Sequence, residues 1–102
     1  MKLALTQPLS YKDTQLTELE LDYGNLTGND LIMAEGNYRK ADPDGQLFGS
    51  YHMLYIAARA CHVTAETLKG LCAKDYMRVI NSAYSFFGDM ASEVSVPEIT
   101  DD

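Results

Sequence analysis

The sequence predicts a small α+β domain: an N-terminal β-hairpin followed by a three- to four-helix bundle. Three observations carry this. Apolar and polar residues alternate through residues 2–23, the period of a half-buried strand. From Thr27 onward apolar residues recur every three to four positions, the period of a helix packed on one side. Turn and stop signals separate the helical stretches: Asp42-Pro43-Asp44-Gly45, Gly70 and Gly88.

The hairpin comes first. Leu3, Leu5, Leu9 and Tyr11 share odd positions, as do Leu19, Leu21 and Tyr23, while Glu18, Glu20 and Asp22 take even ones. Lys12-Asp13-Thr14-Gln15 supplies the polar turn. Pro8 cannot donate to a ladder, so it marks an edge strand or a break. Gly24-Asn25 closes the second strand. Thr27 then caps a helix, with Asp30 three residues on as a shortened capping box.

This first helix is expected over 28–41, with Leu31, Ala34, Tyr38 and Ala41 inward and Ile32 and Met33 widening the stripe. A second is expected over 46–61. Leu47, Tyr51, Leu54, Tyr55, Ala58 and Cys61 line one face and Phe48 and Ile56 extend it, so the helix is apolar nearly all round and belongs at the centre of the core or at an interface. Thr64 caps a short helix over 65–69. The last is expected over 73–87, with Asp75 in its first turn, Tyr76, Met77, Ile80, Ala83, Tyr84 and Phe87 inward, and Gly88 as its stop. Residues 1–88 thus read as one globular domain, hairpin over 2–23 and helices over 27–88. Residues 89–102 read as a flexible acidic tail.

Eight basic residues against fifteen acidic give a net charge of −7 and no Lys/Arg cluster, which disfavours nucleic acid. The apolar start Met1–Leu5 breaks at Thr6-Gln7-Pro8, too soon for a signal peptide. The run Met53–Ala58 ends at Arg59, too short to cross a membrane. The expected place is the cytosol, where Cys61 and Cys72 stay reduced.

Chemistry-bearing groups are sparse. Cys61-His62 with Cys72 and His52 lacks the paired spacing of a zinc site, and adjacent residues on a helix end point apart. A Cys–His nucleophile would need an orienting group and an oxyanion site, and no Gly-rich elbow accompanies either thiol. Asp42-Pro43-Asp44-Gly45 opens like a calcium loop, but its twelfth position is Met53 where a bidentate Glu is required. No catalytic, cofactor or metal residue is therefore expected. What stands out is fifteen Met, Tyr and Phe in so small a domain. Not all fit one core, and such side chains offer large adaptable contact at binding surfaces. The expected partner-binding residues are Tyr38, Phe48, Tyr51, Tyr55, Phe86 and Phe87.

Residues 1–88 resemble the small tail assembly chaperones of long-tailed bacteriophages and prophages. The resemblance runs through Pro8-Leu9-Ser10-Tyr11, Thr17-Glu18-Leu19-Glu20-Leu21, Leu26-Thr27-Gly28-Asn29-Asp30-Leu31, Glu35, Ile56-Ala57-Ala58-Arg59-Ala60, Leu68-Lys69-Gly70-Leu71 and Lys74-Asp75-Tyr76. Cys72 departs from the expected Pro. The resemblance implies a non-enzymatic protein of the bacterial host cytoplasm, absent from the finished virion. It would bind the tape measure protein, keep it soluble and recruit tail tube protein, with self-association as a further expectation. It also implies a longer frameshifted product diverging after Gly88. Two other classes are a structural tail or head-completion protein retained in the virion and a small Cys-dependent enzyme.

Overall fold

A computed structural model describes the backbone of residues 1–99 and the side-chain surroundings of residues 1–88. Strands β1 (Lys2–Tyr11) and β2 (Thr14–Glu20) form a two-stranded antiparallel sheet, and helices α1 (Gly28–Ala41), α2 (Ser50–Cys61), α3 (Ala65–Leu68) and α4 (Ala73–Ile99) follow. A single 3-10 turn, Tyr23–Asn25, joins sheet to helices. The α+β class and the order of elements match the sequence expectation.

The hairpin is not regular. Lys2–Ala4 pair with Glu20–Glu18 and Leu9–Tyr11 with Leu16–Thr14, so residues 5–8 of β1 stand opposite Thr17 alone. Pro8 lies in this bulge, where its missing N–H interrupts no ladder bond. The bulge also changes which face β2 presents: Leu16 and Leu19, of opposite parity, both turn toward the body.

The bulge has a destination. Asp75 Oδ2, on α4, accepts the Thr6 N–H at 2.9 Å, the Thr6 hydroxyl at 3.1 Å, the Cys72 thiol at 3.3 Å and the Gln7 N–H at 3.4 Å. Its Oδ1 takes Arg78 at 2.9 Å, and Arg78 also donates to the Ala4 carbonyl. Asp75 is only 1% exposed. Burial by itself would raise its carboxyl. The hydrogen bonds from Thr6, Cys72 and Gln7 outweigh that and bring it down to about 2. A second tie runs from the Asp22 N–H at the end of the hairpin to the Ala60 carbonyl of α2.

The helices begin as their caps dictate. Thr27 and Asp30 form a reciprocal capping box on α1, and Asp30 also pairs with Arg59 of α2. Thr64 accepts the Thr67 N–H to start α3. His62, at φ 61°, closes α2 in the left-handed conformation. As expected, α2 is buried nearly all round: His52, Met53, Leu54, Ile56, Ala57, Ala58 and Ala60 are covered by the hairpin, α1 and α4.

Four expectations are corrected. Helix α2 starts at Ser50, not residue 46, because the preceding loop carries Phe48 at φ 66° and Gly49 is the cap. Ile32 and Met33 are exposed and do not widen the inner stripe of α1. Tyr84 is 41% exposed, not core, as is Met77 one heptad before it, while Leu54 and Ile80 are buried. The inward face of α4 is centred on Asp75, Val79, Ile80 and Ala83. A buried carboxylate had shifted the apparent phase of the pattern. Finally, α4 does not stop at Gly88: its backbone continues as helix to Ile99. The expected flexible tail over 89–102 falls on residues whose side chains are not described, and its last three lie outside the described backbone.

Candidate interaction surface

The loop between α1 and α2, residues 42–49, is held by side chains from three helices. Tyr38 donates its hydroxyl to the Gln46 carbonyl at 2.8 Å, and Arg39 donates to the Gly45 carbonyl. The Phe48 N–H donates to His52 Nδ1 at 2.9 Å. The Tyr84 hydroxyl, from α4, donates to the Phe48 carbonyl at 2.9 Å. Gly45 fits closely here, since a Cβ would press on the Tyr38 hydroxyl and the Asp42 carboxylate and one of them would have to shift.

These bonds fix Phe48 in an unusual state. Its backbone is left-handed at φ 66°, which costs a bulky L-residue about 1–2 kcal/mol. Yet the residue is 58% exposed. Both backbone polar groups are clamped, which fixes the backbone that carries the ring, and the ring leans on Phe87 and His52 while facing solvent. Strain of this kind persists only where the surroundings over-determine it.

Phe48 belongs to a continuous run of rings. It meets Phe87 edge-on at 6.0 Å and His52 at 5.5 Å. His52 stacks on Tyr38 at 5.1 Å, and Tyr38 meets Tyr51 at 5.5 Å and Tyr55 at 6.0 Å. On the other side Phe87 packs on Phe86 at 5.3 Å, and Phe86 stacks on Tyr23 at 5.1 Å. All six residues singled out from the sequence thus lie in one aromatic network. Their positions differ: Phe48 is exposed; Tyr51, Tyr55, Phe86 and Phe87 are half-buried; Tyr38 is buried and acts from beneath, as support for the loop.

His52, Tyr84 and Glu35 are the site residues that sequence reasoning missed. In the sequence His52 reads only as a metal ligand or a base, and Tyr84 as a core residue. The Asp42-Pro43-Asp44-Gly45 turn followed by Gly49 was the available signal for a tight loop between them. Burial lowers the His52 imidazole below its ordinary 6.5, with Glu35 opposing and Arg39 adding to the effect. The neutral ring suits an Nδ1 that accepts from Phe48.

Beside Phe48 lies a cleft of about 140 Å³ lined by Leu31, Glu35, Phe48, His52, Ile56 and Phe87. A larger hollow of about 390 Å³, bordered by Asp22, Asn25, Asp30, Arg59 and His62, has polar groups that already bond one another: Asp30 with Arg59, Asn25 with Asp22.

Among the described residues neither thiol hydrogen-bonds a histidine; Cys72 instead meets Thr6 and Asp75. Burial pushes Cys61 up to about 11, which leaves it a protonated, weak nucleophile, and Cys72 donates to Asp75. Among the described residues no three His, Cys, Asp or Glu side chains converge as a metal site, and no helix is long and apolar enough to cross a membrane. No family model, curated protein or solved structure matches the chain.

Proposed function

We propose that this protein is a tail assembly chaperone: a non-enzymatic binding protein that holds the tape measure protein soluble while a long phage tail is built. The observation that carries this reading is the clamped, solvent-facing Phe48. A binding residue held in one conformation before contact loses little entropy on association. Exposed aromatic rings at the centre of a patch are the usual anchors of protein interfaces. The sequence resemblance supplies the identity of the client, and the tail tube protein is the second expected partner.

The client is long and the chaperone small, so many copies bind along one chain. Each contact can be weak, because linked contacts multiply into tight overall binding. The net charge of −7 keeps such an assembly soluble.

Co-expression with the tape measure protein that this reading expects to be encoded beside this gene tests it. The soluble fraction of the client is expected to rise with the wild-type protein and to fall back with Phe48→Asp. A client whose solubility does not change with the wild-type protein removes the proposal.

A further inference from the structure

We infer that the cleft beside Phe48 is a socket for one large apolar side chain of a partner helix, and that Glu35 at its lip pairs with a Lys or Arg one turn away on that helix. This rests on reading the aromatic face as a client surface, and it specifies the chemistry the client must present.

The dimensions set the apolar part. A cavity of about 150 Å³ accommodates a benzene ring in a protein interior. The cleft here is about 140 Å³, which fits one Phe, Leu or Met side chain and not two. Its apolar lining is Leu31, Phe48, Ile56 and Phe87, of which Ile56 is buried and Phe48 exposed.

The lining also points to a helix as the occupant. Leu31 and Glu35 are four residues apart on α1, and His52 and Ile56 four apart on α2. Each pair is a one-turn ridge. A third helix laid along the furrow between α1 and α2 seats one of its side chains between these two rows.

Charge sets the basic partner. Glu35 is exposed, lies in the cleft lining, and has no ion pair among the described residues. Arg39, one turn along, is occupied with the Gly45 carbonyl and the face of the Tyr38 ring. The carboxylate is therefore available to an incoming cation. Residues three or four apart on a helix sit side by side, so an anchor and a base at that spacing reach the socket and Glu35 together.

The experiment is a selection. A displayed library of helical peptides, randomised on one face, is panned against the purified protein and against its Glu35→Lys and Phe48→Ser variants. Both substitutions are at exposed positions, and circular dichroism confirms that each variant is folded. With the wild-type protein, enriched peptides are expected to carry one large apolar residue with Lys or Arg three or four positions away. With Glu35→Lys the basic residue is expected to become Asp or Glu, and with Phe48→Ser enrichment is expected to disappear. Resynthesised peptides, each given a Trp at the anchor, report binding by fluorescence, since the protein itself contains no Trp. Exchanging their Lys for Glu is expected to weaken binding roughly two- to fivefold, the range of an exposed ion pair. Enriched peptides without the basic residue, the same peptides from wild type and Glu35→Lys, or no enrichment over Phe48→Ser each overturn the inference. Client rescue in co-expression can survive any of these results, so the socket and the chaperone reading fail separately.

Discussion

The carboxylate of Asp75 accepts the backbone N–H of Thr6 at 2.9 Å across sixty-nine positions of sequence. That contact, with those from the Thr6 hydroxyl and the Gln7 N–H, fastens the hairpin to the start of α4. Replacing Asp75 by Ala removes the acceptor of the half-buried bulge donors of Thr6 and Gln7. Hydrogen exchange is expected to show Thr6 and Gln7 amides losing protection in Asp75→Ala while the amides of α2 keep theirs. Unchanged protection at Thr6 would mean that the hairpin is held by its apolar face alone.

The same carboxylate sets the acid limit of stability. Its value in the folded protein is about 2 against an ordinary 3.8, so the unfolded chain binds more protons between those values. Stability from this group is present above 3.8 and lost as pH falls toward 2. Urea midpoints measured against pH should show this loss in the wild-type protein and a flatter acid limb in Asp75→Asn.

His52 responds at milder pH. Its value is lowered below 6.5, so stability rises with pH up to that point and falls below it. Protonation turns Nδ1 from acceptor to donor, and the Phe48 N–H loses its partner. The Phe48 amide resonance is expected to shift with a midpoint below 6.5. A midpoint above 6.5 contradicts the burial argument.

Phe48→Gly separates stability from binding. Glycine adopts a positive φ freely, so the variant sheds about 1–2 kcal/mol of backbone strain while losing ring contacts that are largely exposed. Denaturant unfolding is expected at or above the wild-type midpoint, with client rescue lost. A clear drop in midpoint would show that the ring, not the backbone, dominates at this position.

Leu54→Ala should cost about 2–5 kcal/mol, because Leu54 sits in the middle of α2 with its surface covered on every side. Gly45→Ala should cost about 1–3 kcal/mol through the collision with Tyr38 and Asp42. Both are read from urea midpoints, and a loss under about 0.5 kcal/mol in either would place that residue in a looser setting.

Much of the fold was legible because local signals decided it. The change of period at Thr27, the Thr27–Asp30 box and the Thr64 cap each act over a few residues, and each element stands where they put it. What escaped the sequence was tertiary. Asp75 reads in the sequence only as an acid in the first turn of a helix. Its partners on the hairpin, Thr6 and Gln7, are sixty-nine and sixty-eight positions away, and its burial rotates the inner face of α4 away from Tyr84 and Met77. Gly88 read as a stop, yet a mid-helix glycine costs only about 1 kcal/mol and the backbone passes through it. For the site, residue type was informative and backbone state was not: the aromatic six were recognisable, but nothing local announces that Phe48 takes a positive φ.

The bulge in the hairpin has a consequence for life at high density. A two-stranded sheet has two open edges, and open edges recruit further strands. Fibrillar stacking favours uninterrupted, weakly charged segments of about six residues. Here the ladder runs for only three pairs before the interruption and three after it, and the second stretch of β2 carries Glu18 and Glu20. Neither edge is a good template for polymerisation. Copies crowded side by side can stay separate molecules, joined by what they bind rather than by each other's strands.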